Sequence, residues 1–415
     1  MKKKIIFNIT IWGELYIKSF KEITLQFLIK EIIRNKDFYE KYEIKIEIWT
    51  FAKDIKNFEF INKINLFKTE IIQIDLIKEN YLKYYKKNKY NFLNIIQNYS
   101  ITKNYHNSDY ILFIYPDFIW SINSVKNVIR RMNNKDAVCV YCPQTIAENF
   151  IKPINYEKIN EFILNNLHPI ITNHSLNNKK IKFTTAASLS FVKKDLAIFK
   201  NIHLHPLCIR LKKNINVLKK FYISLDEDFI VNCEFTKKNI YIPRNSKEIM
   251  FSSLLTKNFK TGLETPGNVT EKIIDWIGLH GSPLNFKFFK NTFYLSDNKK
   301  VNIKDLKYFN FFQKTNKIYK KIIKNFNYIK KINIEDIIYD KEKSLVPYII
   351  NFLRFKKLVL SKISHIIDDK YSVMHDEIVF KKKFSINNHK KIKNNIFTFF
   401  LLENVYNNFL KKLTK

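Results

Sequence analysis

Glycine is nearly missing from this chain, with 5 in 415 residues. A phosphate-cradling loop needs several glycines close together. Neither GxGxxG nor GxxxxGK followed by Ser or Thr occurs, which excludes both glycine-rich phosphate motifs. Cysteine is also scarce: Cys139, Cys142, Cys208 and Cys233. Cys139 and Cys142 form a CxxC, but inside AVCVYC, which reads as a strand, and no second close pair completes a zinc ligand set. They read as buried free thiols in a reducing compartment. No apolar stretch is long enough for a membrane span. The start, MKKKIIFNITIWGE, has the basic-then-apolar look of a secretory leader. Its apolar part is short, Asn8 interrupts it, Glu14 follows, and no small-residue cleavage site appears. The expected location is cytoplasmic, with peripheral contact at the inner face of a membrane as a further option.

Acidic residues are few: 38 Asp+Glu against 73 Lys+Arg, a net charge of +35. Such a charge suits nucleic acid or an anionic surface. Three features argue for a solvated surface instead. Lysine dominates arginine, and lysine is the poorer bidentate phosphate ligand. The charge runs along the whole chain. Lys, Asn, Ile, Phe and Tyr are in excess together, as an A/T-rich coding sequence produces. A nucleic-acid partner is therefore not expected, and one would show a steep salt dependence.

What is present is a globular chain, 46% hydrophobic and 15% aromatic, long enough for two or more domains. Its key stretch is DYILFIYPDFIWS, residues 109–121. Ile111–Tyr115 is a continuous apolar run, the pattern of a strand buried on both faces. Pro116 ends pairing. Val125, Val128, Ile129 and Met132 then mark one helix face, with Ser124 as the expected N-cap. Asp117 thus lies in a strand-to-helix loop. In open α/β sheets such loops hold ligands, outside the carboxyl ends of the strands. The plainer reading is a carboxylate that only ends the strand.

The same strand–helix alternation recurs over about the first 150 residues and predicts a doubly wound sheet. KIIFNITIW (residues 4–12) is the first strand, breaking at Gly13. Ile44–Trp49 alternates and ends at Thr50, a second strand nearer an edge. Ile71–Leu76 is a third, Tyr90–Tyr99 a helix, and Ala137–Cys142 the strand after Asp117. In a parallel arrangement Gly13, Thr50 and Asp117 share one rim. Further on, His203 and His205 fall on one face of a strand in NIHLHPLCIR. FYISLDEDFI delivers Asp226, Glu227 and Asp228 together. Neighbouring acids raise one another's pKa, which suits a general base; an acidic first helical turn is the alternative. Residues 264–281 hold the turn residues of a closing loop or a domain boundary. From about residue 301 lysine-rich helical patterns take over.

ITIWGELYIKSF, IWT, YPDFIWSINS, HPLCIR, SLDEDF and WIGLHGSPL together resemble bacterial proteins of the GT-A glycosyltransferase-like, nucleotide-diphospho-sugar transferase superfamily. The resemblance spans residues 5–290. It implies a Rossmann-like GT-A open sheet with helices on both faces in residues 1–295, and a basic, mainly helical region in 296–415. It further implies transfer of a sugar from a nucleotide-sugar donor to a glycan or other surface-polymer acceptor. Trp12, Gly13, Glu14, Thr50, Asp117, His205, Arg210 and His280 would bind the donor, and Asp226–Asp228 would supply the base. Such proteins carry a DxD motif whose carboxylates hold Mn²⁺ or Mg²⁺ against the diphosphate. Here the first acid is Tyr115, so Asp117 alone would hold the metal, or a cation such as Arg210 or Arg244 would replace it. A non-catalytic glycan- or partner-binding scaffold is the alternative.

Overall fold

The computed structural model describes residues 2–76, 89–150, 155–172, 182–183, 188–201, 205–211, 239–259, 265–266, 289–296 and 310–320. The chain forms two compact units: residues 1–181, 186–259 and 282–316, and residues 182–185, 260–281 and 317–415. In chain order the first strands are β1 (Lys3–Thr10), β2 (Tyr42–Thr50), β3 (Lys68–Gln73), β4 (Tyr110–Phe113), β5 (Phe118–Trp120), β6 (Ala137–Val140) and β7 (Gln144–Ile146). Then come β8 (Lys182–Phe183), β9 (Ser188–Val192), β10 (Leu196–Asn201), β11 (His205–Arg210), β12 (Ile240–Tyr241), β13 (Phe251–Leu255), β14 (Thr265–Pro266) and β15 (Phe293–Ser296). In the second unit β8 and β14 pair antiparallel.

The first unit is built on a seven-stranded sheet in the order β12-β6-β11-β4-β1-β2-β3. The pairs β4–β1, β1–β2, β2–β3 and β12–β6 are parallel, and β11 alone runs antiparallel to its neighbours β4 and β6. This is the open, Rossmann-like sheet that the strand–helix alternation predicts. Its central members have the composition that position requires. Ile5–Thr10 of β1 and all of β4 are buried, as strands covered on both faces must be. The unit also contains two three-stranded sheets, β15-β10-β9 and β5-β13-β7.

The alternation in β2 has a cause other than solvent. Lys45, Glu47 and Trp49 face the helix Lys89–Asn104, and Glu47 is fully buried there. Its carboxylate accepts from Ser100 Oγ (3.0 Å), Asn104 Nδ2 (2.8 Å), Lys103 Nζ (3.1 Å) and Lys45 Nζ (3.3 Å). A buried carboxylate survives only when its lone pairs are filled in this way. The helix therefore docks through this polar network as well as through its apolar face, where Phe92 and Ile96 are buried against Trp49.

Downstream of β4 the chain departs from the expected strand–turn–helix. Pro116 and Asp117 form a turn, and β5 then leaves the main sheet to pair antiparallel with β13. Only after it does the helix Ser124–Met132 begin, burying Val125, Val128, Ile129 and Met132 as its spacing predicts. Ser124 is not its N-cap. That position is Asn123, in the left-handed region at φ 63°. Ser124 Oγ instead accepts from Met250 N (3.0 Å) and bonds Ser121 Oγ (2.8 Å). The orphaned N–H groups of the helix start are met from another element. Glu31, on the helix Leu25–Arg34, accepts from Asn123 N and Lys126 N, both at 3.1 Å, and from Tyr39 Oη at 3.4 Å. The carboxylate caps the helix and complements its dipole. Burial raises its pKa, and the N–H groups of Lys126 and Asn123 partly offset this.

Lys200 on β10 is the opposite case. It is 7% exposed; its ammonium donates to the Lys290 carbonyl (3.0 Å) and lies 5.8 Å from the Phe312 ring centroid. Burial lowers its pKa from 10.5 to about 8. Because the folded-state pKa is the lower one, folding disfavours the charged amine, and stability rises as pH climbs from about 8 toward about 10.5. Lys200→Met should therefore raise the melting temperature at pH 7 by removing about 1–3 kcal/mol of burial cost, with the gain shrinking toward pH 10. Glu31→Ala should lower the urea-denaturation free energy by about 2 kcal/mol, since it strands two helix N–H groups; an unchanged midpoint would refute the cap.

Candidate functional site at the carboxyl rim of the sheet

Parallel pairing brings the carboxyl ends of β1, β2 and β4 to one edge. Thr10 is opposite Trp49, and Asn8 is opposite Phe113. The ladder continues past the strands: Ile11 N donates to Trp49 O (2.9 Å) and Ile114 N to Asn8 O (3.0 Å). Gly13, Thr50 and Asp117 thus gather on one rim, as the parallel arrangement requires.

The loop after β1 turns at Gly13, whose φ of +80° favours glycine. A Cβ there would meet no atom within 4 Å, so conformation and not space selects the residue. Gly13 N donates to Asp54 Oδ2 at 3.0 Å. Asp54 lies on the 3₁₀ segment Ala52–Lys63 that follows β2. This bond ties the first two rim loops together. Glu14 is exposed in the first turn of the next helix. Beside Gly13, Trp12 packs against Phe51 (ring centroids 5.8 Å apart) and Phe92 (5.9 Å), and the latter two are stacked at 6.1 Å. The aromatic cluster includes Trp49. Thr50 is buried, and among the described residues neither Thr50 Oγ1 nor Trp49 Nε1 has a hydrogen-bond partner.

The Asp117 turn is held by Thr24 and Leu254. Thr24 Oγ1 lies 2.7 Å from the Pro116 carbonyl and 3.0 Å from that of Phe118. Thr24 closes a five-residue π-helical turn, Phe20–Thr24, inserted between the helices Glu14–Ser19 and Leu25–Arg34. Leu254 N donates to the Asp117 carbonyl (2.9 Å). Burial pushes the Asp117 carboxyl up from 3.8 to about 6, against a small opposing contribution from its own backbone N–H. The Cys142 thiol is raised by burial and by the neighbouring Asp117 charge, and the Ser253 N–H partly relieves it. Burial thus brings the Asp117 carboxyl above the ordinary carboxylate range, toward the working range of a general base.

His205 opens β11 opposite Val140, and it is exposed at this same edge. Arg210 is not. Because β11 runs antiparallel, its far end lies at the opposite edge, where Arg210 pairs with Tyr110. Its guanidinium bonds the Met132 carbonyl, lies 3.8 Å from Asp136 and covers the Tyr110 ring at 5.7 Å. It cannot stand in for a cation beside Asp117. Asp226, Glu227, Asp228, His203, His280 and most of residues 264–281 lie outside the described residues. Asp54 and Thr24 join the rim without any periodic or motif signal, and Cys142, read from its CxxC only as a buried thiol in a strand, lies beside Asp117.

Among the described residues no group of three or more His, Cys, Asp or Glu side chains could share a metal ion. Asp117 offers one carboxylate, enough for Mg²⁺ or Mn²⁺ only when phosphate oxygens complete the sphere.

No protein-family model matches the chain, and no curated protein sequence does. Among solved structures the chain is similar to a 4-diphosphocytidyl-2C-methyl-D-erythritol synthase from Anaerococcus prevotii DSM 20548, at 14% identity and TM-score 0.24, over 36% of this chain and 61% of that one. It is also similar to S. aureus TarS, at 11% identity and TM-score 0.32, over 69% of this chain and 42% of that one. Residues 1–349 of TarS in complex with UDP-GlcNAc match at 10% identity and TM-score 0.32, over 87% and 81%. The chain spans less than two thirds of the first two proteins. At such identity and overlap the similarity says nothing about the site.

Folding takes up a proton at Asp117 between pH 3.8 and about 6, so wild-type stability falls as pH rises through that window. Asp117→Asn lacks this loss. It should be more stable than wild type at pH 7 by about 2 kcal/mol, with the difference closing near pH 4 in urea titrations. A pH-independent difference would show that the carboxyl is not buried as described.

Proposed function

We propose that the chain is a glycosyltransferase-type enzyme. It takes a nucleotide-diphospho-sugar at the carboxyl rim of its sheet and transfers the sugar to a glycan or other polymer acceptor. The observation that carries this reading is the half-buried Asp117, at a rim shared with the Gly13 and Thr50 strand ends, where its desolvated carboxyl is raised to about 6. Crevices outside the carboxyl ends of such sheets are where α/β folds bind nucleotides. Trp12, Gly13, Glu14 and Thr50 would line the nucleotide half of the donor, with His205 on the other flank. Asp117 would face the diphosphate. A Mn²⁺ or Mg²⁺ ion would be held there by Asp117 together with donor phosphates. When bound, it would offset charge on the departing nucleoside diphosphate. The acids Asp226–Asp228 remain the proposed base for the acceptor hydroxyl.

The absence of a second carboxylate at Tyr115 favours one other reading, a scaffold that binds a glycan or partner without turnover. The two separate cleanly. In a thermal-shift screen of nucleotide sugars a donor should raise the melting temperature, because it binds only the folded chain. Asp117→Asn should keep the fold and lose at least about tenfold in donor turnover, or about 1.4 kcal/mol of transition-state stabilisation. No shift with any donor would support the scaffold, and full turnover in the variant would remove Asp117 from the mechanism.

A further inference from the structure

Both peptide planes that flank the Asp117 Cα are held by other elements. The plane before it carries the Pro116 carbonyl, to which Thr24 Oγ1 donates at 2.7 Å. The plane after it carries the Asp117 carbonyl, which accepts from Leu254 N at 2.9 Å. Peptide units are rigid, so fixing two successive planes fixes the φ and ψ between them, and with them the direction of the Cα–Cβ bond. Thr24 Oγ1 also lies 3.0 Å from the Phe118 carbonyl, so one hydroxyl spans the turn. Pro116 and Phe118 are buried, and the half-buried Asp117 is presented between them.

Thr24 reaches this turn through an irregularity. Residues 14–34 form one unbroken helical run, and Phe20–Thr24 within it is a π-helical turn. A π-turn takes up an extra residue, which rotates the preceding helix by about 100° relative to the following one; such turns recur at functional sites. Upstream, the run starts beside Gly13 on the rim, whose carbonyl accepts from Ile17 N at 3.1 Å. Downstream, Glu31 caps the helix that follows Asp117. Thr24 itself is fully buried, so it acts only through the backbone it holds.

We propose that Thr24 is a positioning residue: its hydroxyl, delivered by the π-turn, sets the backbone of Asp117 and so aims that carboxylate at the diphosphate of the donor. This rests on the donor-binding reading above and deepens it. A misplacement of about 1 Å, caused by a change outside the chemistry, costs up to about 100-fold in rate.

The test is a double-mutant cycle on the full chain, read as release of nucleoside diphosphate from UDP-, GDP- and ADP-hexoses with water as the acceptor. With the nucleotide sugar that wild type hydrolyses, Thr24→Val should release diphosphate about tenfold more slowly. Thr24→Ser keeps the hydroxyl and should retain most of the rate. In an Asp117→Asn background Thr24→Val should add no further loss, because the threonine acts through that carboxylate. A purely structural threonine would cost the same factor in both backgrounds. Thr24→Ala is a second hydroxyl-free chain, and it decides the matter if Thr24→Val does not fold. Equal rates for wild type and the hydroxyl-free chain, or the same loss with and without the Asp117 carboxylate, overturn the inference and leave the donor reading standing. No release by wild type from any of these nucleotide sugars overturns both.

Discussion

The parallel ladder joining β4, β1 and β2 is the constraint on which the rest of the structure depends. Parallel strands end on the same edge, and the hydrogen bonds from Ile11 and Ile114 carry the pairing one residue past the strands. Loops far apart in sequence thereby meet on one rim. The bond from Gly13 N to Asp54 then fixes two of these loops against each other. Such a rim is rigid at its base, where each strand is buried on both faces, and variable at its loops. That combination lets one scaffold present many different sites.

The polar groups buried near the rim are of two kinds, and their energetics differ. Glu47 and Glu31 are satisfied: each fills its lone pairs with donors from a second element, so each fastens a helix in place. Asp117, Thr50, Trp49 and Gln97 are costly. One has a carboxyl raised by burial, and the other three have polar atoms without partners. A fold tolerates a few such costs where something else is gained, and these gather around the carboxyl ends of β2 and β4.

Much of the fold was legible beforehand, because burial on both faces leaves a mark in the sequence. The apolar run of β4 and the 3.6-residue spacing of Val125–Met132 each report a local environment, and each formed as expected. The strand β5 was not legible. FIW continues an apolar run, and only its pairing with β13, residues 251–255, shows that the chain changes sheets there. The helix cap was misplaced for a similar reason. Ser124 has the right chemistry for an N-cap, but Glu31, more than ninety positions earlier, supplies the acceptors.

By itself the sequence determined the apolar runs of the central strands, the buried face of the helix Ser124–Met132, and that Asp117 lies in the loop after β4, since these follow from side-chain chemistry and spacing. Only the tertiary structure decided which strand ends share an edge. It reversed β11 and so carried Arg210 away from the rim while keeping His205 on it. It also brought Gln97 to Tyr115 and Asp54 to Gly13. The physical reason is that strand direction and cross-element hydrogen bonds are properties of pairs of segments, and no local pattern in either segment encodes its partner.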